Sequence, residues 1–241
     1  MDKNIEFQKQ NKEKIQHMSK DRILKRLTKE WFLQSYQYEY SYHFSWLGRP
    51  IIQYPQDMIA IQEIIWKTKP DLIIETGIAH GGSLIFSASI LELIGSGEVV
   101  GIDVDIRQHN KKEIESHSIY KRITMLEGSS VDKKIKDKIY QIAKNKKVMV
   151  ILDSNHTEKH VLKELEIYSP LVTKGCYLIV FDTIIEDLPD EFIKNRDWDR
   201  NNNPKSAIKR FLKNNNRFKI DEKIEKKLLI TAASGGYLKC V

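Results

Sequence analysis

The sequence predicts an α/β fold, a doubly wound parallel sheet carrying an N-terminal helical extension. Three observations point there. The stretch Pro70–Asp105 reads as strand, glycine turn, helix, strand, and a strand–helix–parallel strand crossover is the repeating unit of such sheets. Further apolar runs at 122–126, 147–152 and 175–181 alternate with segments of helical period. A chain of 241 residues that is 41% hydrophobic and 30% charged suits one α/β domain with appendages.

In chain order, residues 4–38 read as helical, because Ile23, Leu24, Leu27, Trp31 and Phe32 recur at helical spacing among charged residues. An aromatic run from Tyr36 to Trp46 follows and ends at Gly48-Arg49-Pro50. It reads as packing against the domain, with a lid over a ligand as the alternative. Pro55 opens a helix whose stripe is Met58, Ile61, Ile64 and Ile65, and Lys69-Pro70 breaks it. Asp71–Glu75 is the first core strand. Gly77, Gly81 and Gly82 form the turn, Ser83–Ile94 the helix, and Val99–Ile102 the second strand, ending at Asp103.

A polar helix over 107–116 leads to a third strand at Arg122–Leu126, closed by Glu127-Gly128-Ser129-Ser130. Val131, Ile135, Ile139 and Ile142 mark the next helix. Lys147–Leu152 is a fourth strand, apolar enough to be covered on both faces, and it ends at Asp153. A helix over 156–169 turns Val161, Leu162, Leu165 and Tyr168 inward, and Pro170 stops it. Gly175–Phe181 is a fifth strand, ending at Asp182. Residues 183–203 are irregular and polar, a long insertion of the kind that carries function. Pro204 begins a helix, Phe218–Ile220, Lys227–Ala232 and Tyr237–Cys240 read as short strands, and Ser234-Gly235-Gly236 reads as a hairpin turn.

The net charge is +7, and residues 1–30 contribute +4 of it from nine Lys/Arg against five Asp/Glu. Acids are interleaved with the lysines and no compact basic block with aromatics stands out, so nucleic acid is not the expected partner. Cys176 and Cys240 form no metal or disulfide framework, which suits a reducing cytoplasm. No stretch has the length of a membrane span. The basic N-terminal arm leaves peripheral membrane contact open, and the N-terminal helix offers a packing surface for a homo-oligomer.

The candidate chemistry gathers at the carboxyl ends of the strands, where ligands of such sheets bind. The turn spacing is E-x-G-x-x-x-G-G, from Glu75 to Gly82, not the G-x-G-x-x-G of nicotinamide enzymes. Glycine permits close approach to backbone N–H groups. An acid two residues before the first glycine suits a cationic or hydroxyl-rich ligand. S-adenosylmethionine, with its ammonium, sulfonium and ribose, fits that description, and Asp103 can accept from ribose hydroxyls. The alternative is a tight turn with no ligand. Asp153 and Asp182 end strands expected to be neighbours, and two carboxylates with water and a hydroxyl make a hard-oxygen site for Mg²⁺ or Ca²⁺. His156, three residues on, is placed to ligate a metal or to take a proton. Helix capping by Asp153 or Ser154 and a surface role for His156 stand beside these readings.

The runs YPQDMIAIQEIIWKTKPDLIIETGIAHGGSLIFSA, VVGIDVDIR and VMVILDSNHTEKHVLKELEIYSPLVTKGCYLIVFDT, with the terminal GGYL, resemble the cephalosporin hydroxylase / rhamnosyl O-methyltransferase family from about Trp46 onward. The resemblance implies a Rossmann-like methyltransferase sheet of seven strands, the last antiparallel, dividing the chain into an extension or lid at 1–50 and a methyltransferase domain at 51–241. It implies an O-methyltransferase dependent on S-adenosylmethionine and Mg²⁺, acting on a hydroxyl of a glycan or small secondary metabolite. Glu75, Gly77, Gly81, Gly82 and Ser83 match the cofactor turn, Asp103 the ribose acid, and Ser129 and Ser130 the turn beside the adenine. Asp153 and Asp182 match metal ligands, Asp153 also bordering the cofactor and the catalytic centre, and His156 falls at the place of a catalytic base. Some relatives carry two adjacent acids where this chain has Phe181-Asp182-Thr183, so Thr183 or water is expected to complete the metal shell. A nicotinamide-dependent oxidoreductase and a non-catalytic binding module on the same fold are the rival readings.

Overall fold

The structure is a computed structural model and describes residues 2–241. Two helices open it, α1 (Lys3–Met18) and α2 (Arg22–Tyr36). One helix was expected over this stretch. The break at Ser19–Asp21 comes from Asp21, whose carboxylate accepts from the N–H groups of Ile23 and Leu24 at 2.9 and 3.0 Å and so starts a new helix. The aromatic run then folds back as a small antiparallel hairpin, β1 (Phe44–Trp46) and β2 (Arg49–Ile51), turning at Leu47-Gly48 with positive φ at both residues.

Next come α3 (Pro55–Thr68), β3 (Leu72–Thr76), α4 (Gly82–Ile94), β4 (Glu98–Asp103), α5 (Gln108–Glu115) and β5 (Ile123–Glu127). The second half runs α6 (Lys133–Ile142), β6 (Val148–Leu152), α7 (Glu158–Tyr168), β7 (Tyr177–Val180), α8 (Pro204–Lys213), β8 (Phe218–Ile220), α9 (Glu222–Leu228) and β9 (Tyr237–Cys240). The main sheet has seven strands in the order β5-β4-β3-β6-β7-β9-β8. The β5-β4-β3-β6-β7 ladders are parallel, and β9 runs antiparallel to both β7 and β8. This is the Rossmann-like sheet with its last strand reversed. Every residue of β3, β6 and β7 is buried, as central strands covered on both faces must be. Strand order reverses between β3 and β6, which opens a crevice at their carboxyl ends.

The chain end differs from expectation. Lys227–Ala232 is the end of α9 and an irregular segment, not a strand. Asp57 of α3, fully buried, holds that segment: it accepts from the Ala232 N–H at 2.8 Å, from the Thr231 hydroxyl and from the Tyr237 hydroxyl at 2.6 Å. The Ala232 N–H, bonded to a buried carboxylate, is thereby taken from any ladder. The Ser234-Gly235-Gly236 turn leads into β9 but closes no two-strand hairpin, because α9 lies between β8 and β9.

Candidate functional site

The crevice is a cavity of 370 Å³. Its floor is the turn after β3. Gly77 has φ +89°, and a Cβ there would overlap the Asp153 carbonyl, so only glycine lets the ends of β3 and β6 lie this close. The Asp103 carboxylate, at the end of β4, accepts from the N–H groups of Ile78 at 2.8 Å and Ala79 at 3.3 Å. It therefore shapes the turn as well as bordering the cavity. Arg49 of the hairpin braces the other side, donating to the His80 carbonyl at 2.7 Å and to Asn110 Oδ1 at 3.0 Å, while Asn110 donates to the Ala79 carbonyl at 3.0 Å.

Gly81 caps α4 in the left-handed region, at φ +81°. Gly82 has a different job from the one its sequence context suggests. A Cβ there would overlap the Pro50 carbonyl, so the room it leaves is filled by the β1–β2 hairpin and not by a ligand. Glu75 is buried behind the turn, off the main cavity, in a void of 10 Å³ shared with Gln53, Ser83 and Asp153. One of its oxygens accepts from the Ser83 hydroxyl and the other has no partner. Burial pushes its carboxyl up to about 7 against the opposing pull of Ser83.

The opposite wall comes from the ends of β6 and β7. Burial, then the neighbouring carboxylates of Asp182 and Glu75, push Asp153 well above the usual carboxylate range. Its Oδ2 accepts from Gln53 Nε2 at 3.0 Å. Asp182 takes φ +54°, a strained conformation for a non-glycine residue, as the chain leaves β7. Its Oδ2 lies 3.2 Å from His156 Nδ1. The His156 ring meets Trp198 edge to face at 5.8 Å, and the Arg196 guanidinium lies over Trp198 at 5.7 Å. Residues 183–203 and the aromatic segment thus both reach the cavity, the latter through Tyr36 and Tyr42.

Ser130 and Ser129 part company. Ser130 borders a second cavity of 120 Å³ with Asp103 and Gly128, whereas Ser129 lines neither cavity and accepts the Asp132 N–H through its carbonyl. Ser130 Oγ lies 3.1 Å from His160 Nε2, and His160 lies 3.5 Å from the fully buried Glu164, which accepts from Ser154 at 2.7 Å. Thr183 corrects an expectation. It is fully buried, donates to the Ala232 carbonyl at 3.3 Å and lines neither cavity, so it brings no oxygen to Asp153 and Asp182.

Gln53, Arg49, Arg196, Trp198 and His160 were not singled out from the sequence. Only His160 carried a local signal, standing four residues from both His156 and Glu164. Among the described residues no three His, Cys, Asp or Glu side chains converge on one point. The oxygen set is two adjacent carboxylates beside an amide oxygen, Gln53 Oε1, which is buried without a partner. Two carboxylates completed by neutral oxygens and water suit Mg²⁺, which keeps much of its hydration. Glu75, expected to contact the cofactor, lines the 10 Å³ void behind the turn and not the main cavity.

The family described as Rhamnosyl O-methyltransferase/CmcI matches residues 38–241. A rhamnosyl O-methyltransferase of Mycobacterium leprae is 32% identical over 149 residues, 60% of this chain and 62% of that protein. One of Mycobacterium tuberculosis is 34% identical over 142 residues, 55% of this chain and 54% of that protein. The match therefore spans less than two thirds of either relative. Two solved structures of CmcI, one with Mg and SAM and one apo, share the fold at TM-score 0.57 and 18% identity, over 83% of this chain and 77% of theirs.

Proposed function

This chain belongs to the Rhamnosyl O-methyltransferase/CmcI family, and we propose that it is an S-adenosylmethionine-dependent, Mg²⁺-assisted O-methyltransferase acting on a sugar hydroxyl. The observation that carries the reading is that the glycine turn, Asp103, Asp153, Asp182 and His156 all border one cavity. S-adenosylmethionine supplies an electrophilic methyl group and the divalent cation lowers the pKa of an acceptor hydroxyl. Everything else is done by side chains of this chain. Asp103 and the Gly77–Gly82 turn seat the ribose and amino-acid ends, with Ser130 beside the adenine. Asp153 and Asp182 hold the cation. His156 takes the hydroxyl proton, and Asp182, 3.2 Å from its Nδ1, fixes the ring so that Nε2 is the free nitrogen. Trp198, Tyr36 and Tyr42 give the acceptor broad aromatic walls, and the aromatic segment 36–46 together with 183–203 serves as its cover. The names of the mycobacterial relatives support a sugar hydroxyl as acceptor.

The test is calorimetric titration of S-adenosylmethionine and S-adenosylhomocysteine into the wild type, His156→Ala and Asp153→Asn proteins, with Mg²⁺ and with EDTA. Micromolar binding to the wild type is expected. His156→Ala should bind the cofactor within about twofold of wild type and lose turnover by about 10²- to 10⁴-fold. Asp153→Asn should lose the response to Mg²⁺. No cofactor binding by the wild type in either condition would sink the reading.

A further inference from the structure

The cation site proposed above has two carboxylates and lacks the third side-chain oxygen that the sequence led one to seek at Thr183. Thr183 is turned away to the Ala232 carbonyl. The structure holds a third oxygen from a different part of the chain. Gln53 leaves β2 with its backbone N–H bonded to the Ser41 carbonyl at 3.1 Å, which anchors it to the aromatic segment. It is only 5% exposed. Its Nε2 donates to Asp153 Oδ2 at 3.0 Å, a contact 100 residues apart in sequence. Nε2 and Oε1 share one amide carbon, so a half-turn of the amide exchanges their places against the same carboxylate. That oxygen is buried with no hydrogen-bond partner. Gln53 borders the same cavity as Asp153, Asp182 and His156.

A buried neutral acceptor with no hydrogen-bond partner bears the cost of desolvation until a cation or a donor reaches it. A divalent cation answers both groups at once: it neutralises the adjacent carboxylates and gives the amide oxygen a partner. Side-chain amide oxygens are ordinary ligands for hard cations. We propose that Gln53 Oε1 is the third side-chain ligand of the divalent cation, alongside Asp153 and Asp182. The inference rests on the metal reading of this cavity and adds to it a ligand from the segment before α3. One consequence is that the cation site depends on the hairpin, whose seating on α4 holds residue 53 at the end of β6.

The test measures cation binding itself, by Mn²⁺ electron paramagnetic resonance and competition with Mg²⁺, in wild type, Gln53→Met and Gln53→Glu, with S-adenosylhomocysteine affinity in EDTA and thermal melting measured alongside. Methionine keeps the volume and removes the oxygen. Glutamate keeps an oxygen and adds charge. Gln53→Met should weaken the cation by at least about tenfold and leave metal-free S-adenosylhomocysteine affinity within about twofold. Gln53→Glu should bind the cation as tightly as wild type or tighter. Wild-type cation affinity in Gln53→Met would overturn the assignment while leaving the metal site standing. Loss of binding in both variants, with normal melting, would overturn it in favour of Gln53 as a hydrogen-bond donor to Asp153. A wild type that binds S-adenosylhomocysteine but no divalent cation would remove the metal reading, and this assignment with it.

Discussion

Glu75 shows how much one buried carboxyl sets at the residue scale. Its Oε2 has no partner, its Oε1 has only Ser83, and burial lifts it from 4.5 to about 7. The folded chain therefore holds this proton more tightly than the unfolded chain does. That stabilisation is complete below about pH 4.5 and is lost as the pH rises through about 7, a contribution on the order of 3 kcal/mol. Asp57, lifted from 3.8 to about 6 by burial against its three hydrogen bonds, acts in the same direction over a lower window. Cofactor-free protein should consequently melt at a lower temperature at pH 8 than at pH 5. Glu75→Gln, which keeps a neutral group in place, should flatten that slope and be the more stable of the two proteins at pH 8. Melting curves of wild type and variant that run parallel across this range would show that Glu75 does not titrate there.

At the scale of elements, the site depends on a hairpin that is no part of the seven-stranded sheet. Trp46 of β1 donates to Ser89 of α4 at 3.0 Å and meets Phe86 edge to face at 4.9 Å. Arg49 grips the glycine turn and α5, and β2 presses its backbone into the space above Gly82. Those contacts seat the hairpin on the N-terminal half of α4, and Gln53 follows β2 by two residues. Gly82→Ala would push the Pro50–Ile51 backbone off the helix. It should cost about 1–3 kcal/mol in stability and weaken S-adenosylhomocysteine by displacing Arg49 from the turn. Gly95→Ala is the matched control, since nothing lies within 4 Å of a Cβ there and only the backbone strain at φ +92° remains. Equal loss of cofactor affinity in both would show that the hairpin contact is not what matters.

At the scale of the whole molecule, the N-terminal helices differ in kind. None of the residues of α1 is buried. In α2, Phe32 enters the core and stacks on Tyr54 at 5.5 Å, and Tyr36 borders the cavity and packs on Phe192 of the long insertion at 5.0 Å. Removing residues 2–18 should leave S-adenosylhomocysteine affinity within about twofold and melting nearly unchanged, because little apolar area returns to water. Removing residues 2–38 should lower the melting temperature clearly and free the 183–203 segment to proteolysis. Limited proteolysis and calorimetry of the two truncations check this, and equal behaviour would deny α2 its bridging place. Among the described residues no helix is long and apolar enough to cross a membrane.

The order of strands and helices, the glycine turn and the strand-terminal acids were legible in the sequence because each is a local affair. Apolar run length, helical period and turn residues act within a few positions, and side chains at strand ends need only the sheet to be brought together. Asp103, Asp153 and Asp182 were readable for that reason. The break between α1 and α2 is local too, at Asp21, whose cap interrupts an otherwise continuous helical period. Lys227–Ala232 has the composition of a strand, yet its first residues end α9 and its last are tied to buried Asp57, 175 residues from Ala232 in sequence, through the Thr231 hydroxyl and the Ala232 N–H. The neighbourhood of each acid was likewise beyond the sequence alone. Whether Thr183 or Gln53 lies beside Asp153 depends on how β7 meets the segment before β9 and how the hairpin seats on α4, and those are packing decisions among residues far apart in the chain. Sequence by itself determined the sheet and the row of acids along its edge. Only the tertiary structure decided which oxygens face one another there, because that follows from close packing of distant segments and not from any local preference.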